Sequence, residues 1–529
     1  MLVFMRVLWY NYSMKNNTST VTIPLTEYES MKQQIEWLMS QLKLSKHRQF
    51  GAASEKSEYD HAQLNLFDEV EVTADKTVAE PELIEIEKYY RKRKRSSADR
   101  LPDNLPVEVI EHDLPEDEQI CLECTGALHV MGKETRRELV IIPAQAKIRE
   151  HVRKVYACRG CEQNADHVPI VKAQMPEPVI KGSFASPEAI AHIMTQKFVM
   201  GSPLYRQEQE LNRNGIMLSR QTMSNWLIRA TEDWLLPIYK QLHIELLKRD
   251  VLHADESVLQ VLHEPGKTAQ SKSYMWLYRT SGDTKQSIIL YEYQPGRHAK
   301  YPEKFLEGYD GYLHTDGYDA YHKLPGNITV VGCLAHVRRK FDEALKILPE
   351  KDRIGSHTLR GKRYCDKLFE FEREYAELSP EKRYEQRQES AKPILDAFFA
   401  WAESVNALPK SPLGKAVDYA LSQRKYLERY LLDGRLEISN NRAERSIKPF
   451  VIGRKNFLFA NTPRGAKASA VMYSIIETAK ENGLNPFDYL VHIFRTAPNL
   501  TLVADSKAVE LLPWSASLPK HVYRPAPAN

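Results

Sequence analysis

Between Val251 and Leu262 the chain reads VLHADESVLQVL, apolar on both sides of its pleat as a central strand should be, and yet it carries an acid, Asp255, in its interior. An ionised side chain in such a strand is costly unless a partner or a metal ion compensates it. The segments that follow fix the setting. YMWLYR and SIILYEY come after turn-like loops containing Gly266 and Ser281-Gly282-Asp283, which predicts a three-stranded meander. A short helical piece around Glu303 to Glu307 precedes a fourth strand, YLHTD, and ITVVGC is a fifth before a helix expected over Ala335 to Leu348.

Three antiparallel strands followed by alternating helix and strand is the order of a ribonuclease-H-like fold, in which the first and fourth strands are neighbours. Asp316 falls at the carboxyl end of the fourth, so its carboxylate and that of Asp255 can converge. A third carboxylate on a later helix would complete a site for two divalent ions about 3.5 to 4 Å apart. The candidate is Glu444, in GRLEISNNRAERSIKPFVIGRKNFLFA, with Glu437 a weaker one. Of the local rivals to the aspartates, Asp319 is three residues past the strand end and Glu256 points to the face opposite Asp255.

Glu444 is set among Arg442, Arg445, Lys448, Arg454 and Lys455, which read as phosphate contacts together with Arg338 and Arg339 of CLAHVRRKF. Ser439 or Asn440 can cap the helix that carries Asn441, Glu444 and Lys448 on one face, and Pro449 is expected to end or kink it. A glutamate beside basic residues is by itself usually a surface ion pair; the two aspartates give this one its weight. Cys333 and His336 offer only two metal ligands and are read as packing with a DNA or structural contact.

Elsewhere the pattern is modular. Cys121, Cys124, Cys158 and Cys161 form two Cys-x-x-Cys pairs 33 residues apart, four thiolates that suit a structural zinc ion with no open coordination position. Two paired knuckles and two further cysteines also suit a reducing cytosol. Tyr28, Met31, Ile35, Leu38 and Leu42 give a short heptad seam, either packed on its own domain or pairing two protomers. Residues 54 to 88 hold eleven acids against three lysines and are followed by Arg91-Lys92-Arg93-Lys94-Arg95, the composition of a solvated linker. From Ser186, with Pro187 in a first turn, Ile190, Ile193, Met194 and Phe198 form a helix face. A turn at Asn214-Gly215 and a helix capped by Ser219 and displaying Arg220, Gln221 and Asn225 have the outline of a helix-turn-helix or of an ordinary helical hairpin, with Trp226 and Leu227 as core. The charged, helical stretch after the fifth strand is an insertion, which explains why Glu444 lies 128 residues beyond Asp316 whereas Asp255 to Asp316 is 61. A core helix over Ala466 to Asn482 follows, with Gly483 beyond its end.

The expected fold class is therefore multidomain α+β: a ribonuclease-H-like α/β core with a helical insertion, preceded by a coiled-coil segment, a zinc-ribbon-like segment and a helical DNA-binding domain. The boundaries are residues 1–20 for a disordered leader, 21–50 for the zipper-like helix, 51–100 for the linker and 101–175 for the zinc segment. Residues 180–245 form the helix-turn-helix-like domain, 246–350 and 431–495 the two parts of the core, 351–430 the insertion and 496–529 a tail. The apolar start is interrupted by Arg6, and Met14 is the expected initiator. No run of about 18 apolar residues exists, so no spanning helix is expected. The net charge of +4 neither demands nor excludes nucleic acid.

The motifs RQFGAASEK, YACRGC, HADES, HTDGYDAY, CLAHVRRKF, EISNNRAERSIKPFVIGRKNFLFA, YSIIETAKENGLNPFDYL and LLPW, in this order, resemble the DDE transposases of the sixty-six family of bacterial insertion sequences. The resemblance implies a catalytic triad at Asp255, Asp316 and Glu444 with two Mg²⁺ or Mn²⁺ ions, an amino-terminal zipper-like region and a zinc-binding segment. The protein is accordingly expected to be a cytoplasmic bacterial enzyme that binds double-stranded DNA at element ends and target, works as a homo-oligomer, and draws on accessory proteins of the same element. A DNA-binding regulator that kept the fold and a nuclease that cannot join strands are the rival readings.

Overall fold

The computed structural model describes residues 146–157, 170–500 and 505–525. The described residues divide into two units, one holding residues 146–157, 170–175 and 525, and the other residues 176–500 and 505–524. In the first unit, strand β1 (Val155–Ala157) pairs antiparallel with β2 (Ile170–Lys172), Tyr156 opposite Val171. Strand β1 ends immediately before Cys158. The four cysteines of the zinc segment, the heptad helix, the charged linker and the question of Met1 or Met14 lie outside the described residues.

The second unit begins with helices. Ser186 caps α1 (Pro187–Phe198) by accepting from the Ala189 amide, and Ile190, Ile193, Met194 and Phe198 are buried as the spacing predicts. Helices α2 (Leu204–Arg213) and α3 (Arg220–Ala230) make the expected hairpin. Gly215 supplies the left-handed turn (φ +77°), and Ser219 caps α3 on the Thr222 amide. Trp226 and Leu227 are core. Helix α4 (Leu236–Leu247) leads into the sheet.

Five strands form that sheet: β3 (Val251–Gln260), β4 (Lys272–Thr280), β5 (Ile289–Gln294), β6 (Gly311–His314) and β7 (Ile328–Val331). Their spatial order is β5-β4-β3-β6-β7, the first three antiparallel and β6 and β7 parallel to β3. A short helix α5 (Lys300–Phe305) covers the crossover. The β5 edge is closed by side chains rather than by another strand. Ser474 and Thr478 accept from the Tyr291 and Ile289 amides at 2.8 and 3.0 Å, which removes an exposed ladder edge.

After β7 comes α6 (Leu334–Ile347), then the insertion, whose main helices are α7 (His357–Glu374), α8 (Lys392–Ser404) and α9 (Pro412–Leu427). Phe341 of α6, Leu368 of α7, and Leu395, Phe398 and Phe399 of α8 build a second core that is separate from the sheet core. Helices α10 (Asn441–Phe457) and α11 (Pro463–Glu481) return to the sheet, and α12 (Pro486–Thr496) packs against α1.

Two local expectations for α10 fail. Pro449 does not end the helix, which continues for two turns beyond it. Proline removes one backbone donor, but Ala443, Ser446, Ile447, Phe450 and Gly453 form one continuous buried face, and that packing outweighs the loss. Asn440 occupies the cap position, yet its side chain makes no capping bond; it is engaged elsewhere.

Candidate active site

Helix α10 is fastened to β3 along its length. At its start the Asn440 amide nitrogen Nδ2 donates to the Ala254 carbonyl at 2.8 Å, and Oδ1 lies 3.0 Å from His253 Nδ1. Further on, an Arg454 nitrogen donates to the Val258 carbonyl. Beyond the helix, the Ala460 amide donates to Gln260 at 2.9 Å and the Ala460 carbonyl accepts from Leu262 at 3.0 Å. Gly453 permits the close approach of α11, since a Cβ there would meet the Tyr473 hydroxyl. A helix held in this way places Glu444, in its first turn, against the strand that carries Asp255.

Asp316 is two residues past β6. Gly317 follows it with φ +87°, and a Cβ there would lie 2.7 Å from the Gln423 side chain, so only glycine turns the chain away at this point. The Asp316 carboxylate accepts from the Tyr318 amide at 2.9 Å, and the Tyr419 hydroxyl donates to its backbone carbonyl.

Asp255 is deeply buried, and its carboxyl is held well above the usual range. Burial is the main cause, followed by repulsion from Glu256, Asp316 and Glu444. Asp316 and Glu444 thus sit close enough to Asp255 to disfavour its charge. A buried carboxyl that resists ionisation beside further carboxylates is a place that a divalent cation would stabilise, and the donors are all oxygen, as Mg²⁺ or Mn²⁺ prefers. Glu444 Oε1 is buried with no hydrogen bond, 3.6 Å from His336 Nε2, whereas Oε2 meets Arg339 at 3.3 Å.

The rival acids have other partners. Glu256 feels Asp316 as well, but it is held by Arg297 Nε at 2.7 Å and by the Tyr321 hydroxyl at 2.5 Å. Glu437 pairs with Arg442 at 2.6 Å, and Asp319 is an exposed ion pair with Lys323.

Behind the aspartates lies a feature the sequence reading missed. His253 shares the pleat face of Asp255, its register partner His314 is the last residue of β6, two before Asp316, and both rings are fully buried and stacked at 4.5 Å. Burial keeps both imidazoles neutral, His253 pushed down to about 3. His314 Nε2 accepts from the Glu437 amide. The repeated His-x-Asp spelling, HAD and HTD, was the available signal.

The basic residues divide. Arg445, Lys448 and Lys455 are exposed on α10, while Arg338 is bound to Asp366, Arg339 to Glu444, Arg442 to Glu437 and Arg454 to the β3 backbone. On α3, Arg220 is exposed near Glu208, and Gln221 donates to Asn225 at 3.3 Å. Cys333 caps the start of α6, with its thiol pushed up to about 12 by burial.

A five-stranded mixed sheet with acids gathered from β3, the loop after β6 and a returning helix defines a mixed α/β protein with a carboxylate cluster beside its sheet. The comparisons with known proteins narrow this. Residues 182–468 match the transposase IS66 family, and the chain belongs to that family. Residues 37–110 match a region described as transposase C of IS166 homeodomain, residues 118–162 the zinc-finger binding domain of transposase IS66, and residues 474–514 the IS66 C-terminal element. The uncharacterised protein y4jD of Sinorhizobium fredii is 30% identical over 440 residues, covering 80% of this chain and 83% of that one. Protein y4qI of the same organism is 31% identical over 434 residues, 77% and 75% of the two chains. Among the described residues no helix is long and apolar enough to cross a membrane.

Proposed function

We propose that this chain binds the terminal inverted repeats of its insertion sequence and catalyses DNA strand cleavage and strand transfer through Asp255, Asp316 and Glu444. The observation that carries the reading is the raised carboxyl of Asp255 on β3, which feels both Asp316 after β6 and Glu444 on α10. A ribonuclease-H-like core is supported by the strand order, three antiparallel strands with two parallel ones added beside the first. The three carboxylates are the ligands for two Mg²⁺ or Mn²⁺ ions, which when bound supply activation of the attacking water or 3′-hydroxyl and stabilisation of the leaving oxygen.

The chain's own residues do the rest. Asn440 sets Glu444 against β3, and the stacked histidines fill the space beneath both aspartates so that neither can retreat into the sheet. Arg339 is poised to exchange Glu444 for a DNA phosphate, and Arg445, Lys448 and Lys455 give an exposed row for the backbone near the cut. Arg220, Gln221 and Asn225 on α3, with the zinc segment, are the candidates for recognising the element ends. A homo-oligomer through the heptad helix, and accessory proteins from the element, belong to the same proposal.

The test is cleavage and joining of a labelled element end with the full-length protein. Glu444→Gln, Asp255→Asn and Asp316→Asn should each abolish both steps while leaving end binding intact. Full Mg²⁺-dependent cleavage by Glu444→Gln would remove Glu444 from the site, and cleavage without joining would make the protein a nuclease.

A further inference from the structure

We propose that Cys333, His336 and Glu444 form a second metal centre, a site for one borderline-soft divalent cation of the zinc class, adjoining the proposed all-oxygen site of the aspartates and sharing Glu444 with it. Their ligand atoms, one sulfur, one ring nitrogen and one carboxylate oxygen, all lie within 4.8 Å of one another. The Cys-x-x-His spacing alone gives two ligands. The third arrives from α10, 108 residues after His336.

Three observations support the site. First, the two helix starts that carry the ligands are locked together. The Asn440 amide donates to Cys333 Sγ at 3.1 Å, and the Leu334 amide donates to the Ile438 carbonyl at 3.0 Å, so the three donors are presented as one rigid cluster. Second, polar atoms in the cluster are buried without hydrogen bonds, namely His336 Nδ1 and Glu444 Oε1. Buried polar atoms of this kind call for a partner. Third, the donor chemistry selects the ion: sulfur and imidazole favour zinc, whereas Mg²⁺ takes oxygen ligands and retains water.

Zinc bonds of about 2.3 Å to sulfur and about 2.0 Å to nitrogen or oxygen put tetrahedral donors roughly 3.5 Å apart. Closing the present cluster to that size takes small rotations of the half-buried His336 and Glu444 side chains. Cys333 releases its proton to solvent as it binds. Three protein ligands leave a fourth position open, and an ion there would hold Glu444 through Oε1 while Oε2 remained for the aspartate site.

The experiment uses full-length protein stripped by chelator and dialysed against Zn²⁺, with zinc counted per chain. Two zinc ions are expected, one in the four-cysteine segment and one here. Cys333→Ser and His336→Ala should each bind one, Cys121→Ser should also bind one, and Asp316→Asn should keep two. In Cys121→Ser, where the four-cysteine site is broken, Co²⁺ substitution should still give tetrahedral absorption bands, and adding His336→Ala to that variant should remove them. One zinc in the unaltered protein, or two in His336→Ala, overturns the proposal. If Cys333→Ser fails to fold, judged by circular dichroism, the half-buried His336→Ala decides alone. Strand-transfer assays on the same preparations test the transposase reading separately, since zinc stoichiometry does not depend on it.

Discussion

Asp255 and Glu256 are consecutive residues of one strand, both lifted by burial, and the protein treats them in opposite ways. Glu256 receives a guanidinium from Arg297 and a hydroxyl from Tyr321. Asp255 receives only the Glu256 backbone amide and is surrounded by further carboxylates. Strand alternation makes this possible, because side chains one residue apart open onto different environments. On the proposed function, the difference separates a structural acid from a catalytic one: the first carries its counter-charge in the fold, and the second would take it from a bound ion.

The largest effect should come from exchanging the two roles. Asp255→Asn should lower cleavage by about 10³-fold or more, the scale expected when a metal ligand of a phosphoryl-transfer site is lost. It should also raise the melting temperature of the metal-free protein by relieving repulsion. A fall in metal-free stability would mean that Asp255 is structural after all. Glu256→Gln should instead strand Arg297 and cost about 3 kcal/mol of stability, read by denaturant titration.

Asn440→Ala should come next. It removes the 2.8 Å bond to Ala254 and the contact with His253, so α10 loses its register on β3. Turnover is expected to fall about 10²-fold with DNA affinity nearly unchanged. A loss confined to affinity would show that Asn440 does not position Glu444.

The pH dependence sharpens the contrast. An acid whose folded-state value is raised contributes stability that is present below its unfolded value and lost as pH rises through the folded value. Metal-free protein should therefore lose stability as pH rises above the ordinary aspartate range, and Mg²⁺ should restore it, with Asp255→Asn abolishing the Mg²⁺ effect. Glu292, pushed up to about 7 by burial, gives a control away from the site. Glu292→Gln should stabilise the protein at pH 8 by roughly 2 kcal/mol and far less at pH 4. The smallest effect is expected on the exposed row. Lys448→Ala and Arg445→Ala should each reduce the salt dependence of DNA binding by about one phosphate contact, seen as a shallower slope of log affinity against log salt.

Much of this arrangement was legible in the amino-acid order. The succession of strands, the cap at Ser219 and the turn at Gly215 follow from interactions within a few residues, which sequence spacing encodes directly; strand ends do not, since β6 stops at His314 rather than at Asp316 and β3 at Gln260 rather than at Leu262. The five-strand succession was enough to anticipate that β3 and β6 would be neighbours. Motif order pointed to Glu444 rather than Glu437; each has an arginine partner, Arg339 and Arg442 respectively, so ion pairing does not separate the two.

What the tertiary structure decided are the matters settled between residues far apart. Pro449 stays inside a helix because the sheet supplies a face for it to pack on. Asn440 abandons its cap because a carbonyl on β3 is within reach, and Arg454 turns to that same strand. Cys333 and His336 gain Glu444 only when α10 returns after the insertion. In each case a local preference worth about 1–3 kcal/mol is outweighed by burial and hydrogen bonds formed across more than a hundred residues of chain, and no pattern in the neighbouring sequence records which of them will form.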